Sequence, residues 1–191
     1  MGGDGSTLRF PAMSAHHITQ VSSRTPPVFV SGSLSIRHLP LCVKERLCVI
    51  VDHELPVVIG DAPGADAAVQ RFLADCGVHD VTIFCSGPTP RHNIGKWPIR
   101  QIQSDAARGT RASHMAKDRA MSSLAGTGFV ISDGVSQGSH ANIRCLCERG
   151  RYVDVYLASE GRFVTLSNDT ERTAFLTSPT LADHPTQEHG Q

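Results

Sequence analysis

The chain has no excess of either charge: 18 Lys plus Arg are set against 18 Asp plus Glu in 191 residues. A formal charge of zero supplies no long-range field to draw in a nucleic-acid polymer or an anionic membrane surface, so no nucleic-acid polymer and no membrane is expected as partner, and a small ligand suits the balance better. No apolar run approaches the roughly 18 residues that span a bilayer, and the first residues lack the apolar stretch of a signal peptide, which makes the cytoplasm the expected compartment. The six cysteines, Cys42, Cys48, Cys76, Cys85, Cys145 and Cys147, have no C-x-x-C spacing. That excludes the common zinc and dithiol patterns and leaves buried, reduced thiols as the expectation. No metal and no resident cofactor is expected.

What the chain does have is an alternation of short apolar runs and amphipathic stretches. Residues 1–27 are rich in Gly, Ser, Thr and His without an apolar period, and they read as a flexible extension in which His16-His17 are solvated. Val28-Phe29-Val30 is the first predicted strand. Leu39, Val43, Leu47 and Ile50 recur at helical spacing after it, with Pro40 suited to the first turn. Val57-Val58-Ile59 predicts a second strand by its β-branching, and Ala65, Val69, Phe72 and Leu73 a helix that starts inside the following turn. Val81 to Cys85 is a third strand, followed by a long loop that no helix pattern interrupts until about Thr110. A helix to Leu124, the strand Phe129 to Ile131, a helix on Ile143, Leu146 and Cys147, and the strand Tyr152 to Leu157 complete the series. Ser159-Glu160-Gly161 is placed to turn the chain back toward Phe163-Val164 as a hairpin. The expectation is a single Rossmann-like α/β domain over residues 28–167, a doubly wound, mostly parallel, five-stranded sheet, with a flexible tail at 168–191.

Four turns of small residues follow the strands, and in a doubly wound sheet ligands lie outside the carboxyl ends of the strands. They are Ser31-Gly32-Ser33, the Gly60 to Asp66 turn with Asp61 and Gly64, Ser86-Gly87, and the Asp133 to Ser139 turn. The last joins an apolar strand to a helix start, where unpaired N–H groups and the helix dipole suit an anion; Gly134, Ser136, Gly138 and Ser139 are its candidates for a phosphate. The same stretch also fits an ordinary βα connection. Asp66 falls in the first turn of its helix, where a carboxylate either caps N–H groups or reaches a sugar hydroxyl. The long loop carries Arg91 and Trp97, a cation and a stacking surface that would suit a phosphate and a base.

Three stretches together resemble the SLOG superfamily of Rossmann-like proteins, with its DprA/Smf, LOG and YspA-like branches: Gly60-Asp61-Ala62-Pro63-Gly64-Ala65-Asp66, Lys117-Asp118-Arg119-Ala120-Met121, and Asp133-Gly134-Val135-Ser136-Gln137-Gly138-Ser139. The likeness covers roughly Val28 to Leu157. The LOG branch releases a base from nucleoside monophosphates with the motifs R-K-x-x-M and P-G-G-x-G-T-x-x-E. Here Lys117 stands at the arginine, Ser139 at the threonine and Asn142 at the catalytic glutamate. Asn142 cannot ionise, so it cannot stabilise a developing oxocarbenium ion by charge. The YspA-like branch, whose motifs lack that glutamate, is the nearer likeness and implies nucleotide binding. LOG relatives pair through helices, so the resemblance also carries over a homodimer.

The resulting expectation is a module that binds a nucleoside monophosphate or an ADP-ribose-type ligand. The alternative is an N-glycosidase in which Asp66 or Asp133 supplies the carboxylate and Lys117 steadies the phosphate. A structural or partner-binding domain is the third reading.

Overall fold

The computed structural model describes residues 25–103 and 110–178. The extension at 1–27, His16-His17 included, falls almost wholly outside the described residues, as does the tail beyond 178. The elements in chain order are β1 Val28–Gly32, α1 Leu41–Asp52, β2 Val57–Gly60, α2 Ala65–Asp75, β3 Val81–Cys85, β4 Ile99–Gln101, α3 Arg111–Leu124, β5 Thr127–Ser132, α4 Gln137–Glu148, β6 Tyr152–Leu157, β7 Arg162–Leu166 and α5 Asp169–Leu176.

The sheet has seven strands in the order β4-β3-β2-β1-β5-β6-β7, parallel throughout except for β7, which runs antiparallel to β6. The expectation of five strands is corrected at both edges. β4 pairs Ile83 with Ile99 and Cys85 with Gln101, and all three of its residues are exposed. A three-residue edge strand with no buried face leaves no alternation in the sequence. β7 is the hairpin return, Leu157 opposite Arg162 and Val153 opposite Leu166.

The β-branched and aromatic runs of the central strands are buried on both sides, as a parallel sheet covered by helices requires. One face packs Val30, Ile59 and Ile83 against Val43 and Leu47 of α1 and Val69 and Leu73 of α2. The other packs Phe29, Val58 and Val130 against Met121 of α3 and Ile143 and Leu146 of α4. The order of strands reverses between β1 and β5, so the loops after them diverge and open a crevice at their carboxyl ends.

The segment from 168 on, read from sequence as a tail, carries α5. Asn168 and Glu171 form a capping box at its start. Arg172 donates to the carbonyls of Arg151, Gly150 and Ser167 at 3.1, 2.9 and 3.0 Å, which pins the helix beside the end of α4. Cysteine burial is also corrected: Cys85 and Cys147 are buried, Cys48 and Cys76 exposed, Cys42 and Cys145 half-buried, and all are free. Among the described residues no helix is long and apolar enough to cross a membrane.

Candidate functional site

A cavity of about 810 Å³ opens at the reversal of strand order, between the ends of β1 and β2 and the facing sides of α3 and α4. That volume suits a ligand of nucleotide size. Of the residues singled out from sequence, Ser31, Gly32, Asp66, Arg91, Lys117, Ser136, Gly138, Ser139 and Asn142 line it. Asp118, quoted from sequence only within the Lys117 to Met121 motif, lines it too, as do His114, Arg111 and Arg144, which sequence reasoning did not single out. Their signal was weak because they are spaced along the facing sides of two helices distant in sequence rather than gathered in a turn.

The floor of the cavity is built around Lys117. Its Nζ lies 3.6 Å from Asp61 and 3.6 Å from Asp118, with only 4 % of the side chain exposed. Asp66 is buried in the same cluster, and its clearest bond is a 3.3 Å donation from the Ala62 N–H. Burial raises the Asp66 pKa to about 7, with Lys117 opposing the rise. Asp118 is also raised by burial, with Lys117 opposing the rise. Burial pulls Asp61 upward as well, but the Arg91 side chain and backbone N–H, with Lys117, outweigh it and leave it below the usual carboxylate range. Arg91 grips Asp61 with both ends of its guanidinium, Nη2 to Oδ1 at 3.0 Å and Nε to Oδ2 at 3.2 Å. His114 is lowered by burial and by the neighbouring Arg91 and Lys117.

The wall is the start of α4. Ser33 Oγ and Ser139 Oγ lie 2.9 Å apart and tie the β1 turn to the helix. Ser136 occupies the N-cap position without a side-chain cap among the described residues, so the first-turn N–H groups face the cavity with no intrahelical acceptor. Ser31 Oγ has no hydrogen-bond partner among the described residues although the residue is 5 % exposed and lines the cavity. A buried hydroxyl left in that state is a place where a ligand atom gains a bond that the fold does not supply.

Several candidates have other work. Asp133 does not line the cavity. Its Oδ1 accepts from the N–H groups of Val135 and Ser136 at 3.0 and 2.8 Å, and its Oδ2 from Ser35 Oγ at 2.6 Å. Those bonds outweigh its burial and hold its pKa down. It is the internal anion of the turn. Gly134, whose N–H donates to Ser132 Oγ at 3.1 Å, belongs to the same turn and lies off the cavity. Gly60 and Gly64 were expected to let backbone approach a ligand, and both make room for protein instead. A Cβ on Gly60 would collide with Asp66 Oδ2 and Lys117 Nζ, and one on Gly64, where φ is +82°, with the backbone of Leu34. Trp97 is no stacking platform: it is 6 % exposed, packs in the core, and donates from Nε1 to the Val78 carbonyl at 2.7 Å.

No family model and no curated protein matches the chain. Among solved structures, DNA processing protein A from Helicobacter pylori, described for a unique single-stranded DNA binding mode, is similar with a TM-score of 0.50 at 18 % identity over 69 % of this chain. The match takes in 65 % of that structure, so this chain spans slightly less than two thirds of its length. The expectation that excluded a nucleic-acid polymer as partner is corrected by this finding, since a protein of similar fold binds single-stranded DNA. The physical flaw is that net charge is a sum over the chain, whereas the cavity is lined by five Arg and Lys against three Asp and Glu. At this identity the likeness shows the fold alone: the chain has a Rossmann-like α/β fold resembling that of DNA processing protein A.

Proposed function

We propose that the crevice between α3 and α4 binds a nucleotide, either free or as a unit of a strand, with its phosphate at the start of α4. The observation that carries this reading is the unpartnered Ser31 hydroxyl, buried at the floor of a cavity whose wall is an uncapped helix start and whose rim holds Arg91 and Arg111. Helix N–H groups, a buried hydroxyl donor and guanidinium groups together make a phosphate site, and each alone would be ordinary. The resemblance of the Asp133 to Ser139 turn to the SLOG motif supports the same placement.

The test is thermal unfolding of the full chain with the four nucleoside 5′-monophosphates, ADP-ribose and a short single-stranded DNA oligonucleotide. A ligand at about 100 times its dissociation constant adds roughly 2.7 kcal/mol, a readily measured rise in melting temperature. No stabilisation by any of them leaves a structural or partner-binding domain and overturns the proposal.

A second reading, N-glycosidic cleavage, draws on Asp66. A carboxyl that lines the cavity with a pKa of about 7 is placed to exchange a proton at neutral pH. Asp133, engaged by its own turn, drops out of that role. Chromatography of free base after incubation with nucleoside monophosphates decides it: release that Asp66→Asn abolishes supports cleavage, and no release from a ligand that binds rejects it.

A further inference from the structure

Resting on the nucleotide reading, we propose that the crevice has a second anion subsite, formed by Arg119 of α3 and Arg144 of α4, and that it takes a nucleoside carrying two separate phosphates. The extent of the cavity is the starting point. Two contacts between the helices frame it: near their starts Arg111 donates to the Gln137 side chain, and near their ends Ser122 Oγ lies 3.0 Å from Cys145 Sγ. On the α4 side the lining residues run from Val135 to Glu148, about 20 Å along the helix axis. A phosphate at the start of α4 occupies only the first turn of that length.

The cations along the crevice are unevenly engaged. Four arginines line it, Arg91, Arg111, Arg119 and Arg144. Arg91 grips Asp61, and Arg111 is held by Gln137. The guanidinium groups of Arg119 and Arg144 have no hydrogen-bond or ion-pair partner among the described residues, although Asp118 adjoins the first in sequence and Glu148 stands one turn on from the second. Asp118 turns instead to Lys117, 3.6 Å away. Two unpaired guanidinium groups in one cavity hold positive charge that the fold does not neutralise, and their planar forks match the oxygens of a phosphate. The unpartnered Ser31 hydroxyl is an independent sign that a polar ligand belongs in the same cavity. Arg119 precedes Ser122 by one turn, so the Ser122–Cys145 contact brings Arg119 and Arg144 to the same end of the crevice. Arg144 lies five residues past Ser139, about 7.5 Å along α4, and helical side chains lean back toward the N-terminus. A guanidinium so placed meets the next phosphate rather than the first. A diphosphate, whose phosphorus atoms share one oxygen, is too short for that step; phosphates on the two sides of a sugar match it, in a free nucleoside 3′,5′-bisphosphate or within a strand.

Isothermal titration of the full chain tests this with nucleoside 5′-monophosphates, nucleoside 3′,5′-bisphosphates and 5′-phosphorylated dinucleotides, each in ribo and deoxyribo form. The bisphosphate is expected to bind roughly tenfold or more tightly than the monophosphate of the same nucleoside, the scale of one hydrogen bond between charged groups. Joint replacement Arg119→Gln and Arg144→Gln should bring that ratio close to one, while far-ultraviolet circular dichroism stays that of the unaltered chain. A dinucleotide that shares the excess makes a strand the source of the second phosphate, and one that does not makes it the free bisphosphate; either result supports the subsite. Equal affinity for monophosphate and bisphosphate overturns the subsite and leaves nucleotide binding standing. An excess that survives the joint replacement overturns the assignment to Arg119 and Arg144. Binding of none of the probes overturns both readings. The comparison on the unaltered chain holds even where the variant fails to fold.

Discussion

Asp66 shows how one buried side chain couples the site to the stability of the fold. Its pKa rises from an ordinary 3.8 to about 7 because burial penalises the charged form. A carboxyl raised in the folded state binds more protons there than in the unfolded chain. Its contribution is therefore complete below about pH 4 and is lost as pH climbs through about 7. Asp66→Asn keeps the shape and removes the titration, so its stability relative to the unaltered chain should grow by on the order of 4 kcal/mol between about pH 4 and pH 8. Urea unfolding at several pH values measures it, and a difference that does not change with pH counts against the burial assigned to Asp66. Asp61, lowered by Arg91, acts with the opposite sign at more acid pH and leaves that window alone.

At the scale of elements, α4 presents the proposed phosphate site because Ser136 stands at its N-cap position and Gly138 and Ser139 lie in its first turn, lining the cavity. Gly138 is the place to test it. A Cβ there meets nothing within 4 Å, so a larger side chain enters open cavity rather than protein. Gly138→Phe should melt within about 0.5 kcal/mol of the unaltered chain, or slightly above it, since glycine in a helix is itself unfavourable. It should also lose the stabilisation that a nucleotide confers; full retention of ligand affinity would show that the start of α4 is not where the phosphate sits. The loop after β3 was expected to carry the base, and its side chains are largely spent on the fold: Asn93 closes a turn on Trp97, and Ile94 is held by Gln70.

For the whole molecule, the arrangement of charge matters where its sum does not, and the domain extends beyond the point where the composition turns polar. Phe175 and Leu176 pack against the second core, and Arg172 takes up the carbonyls of Gly150 and Arg151 just past the end of α4. A chain of residues 25–178 should therefore melt cooperatively. One that stops at 167 should be less stable by about 2 kcal/mol or more, since it exposes apolar surface and unpairs buried carbonyls. Equal melting temperatures for the two would place the boundary at 167.

The periodicities at Val43 to Ile50, Val69 to Leu73 and Ile143 to Cys147, and the β-branched runs between them, were sufficient to reach an α/β fold and the edge of the sheet where the cavity opens. Those signals are local: burial repeats every two or every 3.6 residues and so leaves its mark along the chain. β4 left none, having no buried face, and α5 was hidden because its docking depends on Arg172 and carbonyls about twenty residues away. The site divided in the same manner. Serines and glycines in turns were legible, but which of them face the cavity was not: Gly60 and Gly64 turned out to accommodate side chains and backbone, Trp97 to fill the core, and Asp133 to close its own turn. Only the packing of α3 over the end of β2 and the start of α2 set Lys117 beside Asp61 and Asp66, and the packing of α3 against α4 closed the cavity above them. Contacts between helices distant in sequence depend on crossing geometry and register, and no local pattern encodes them.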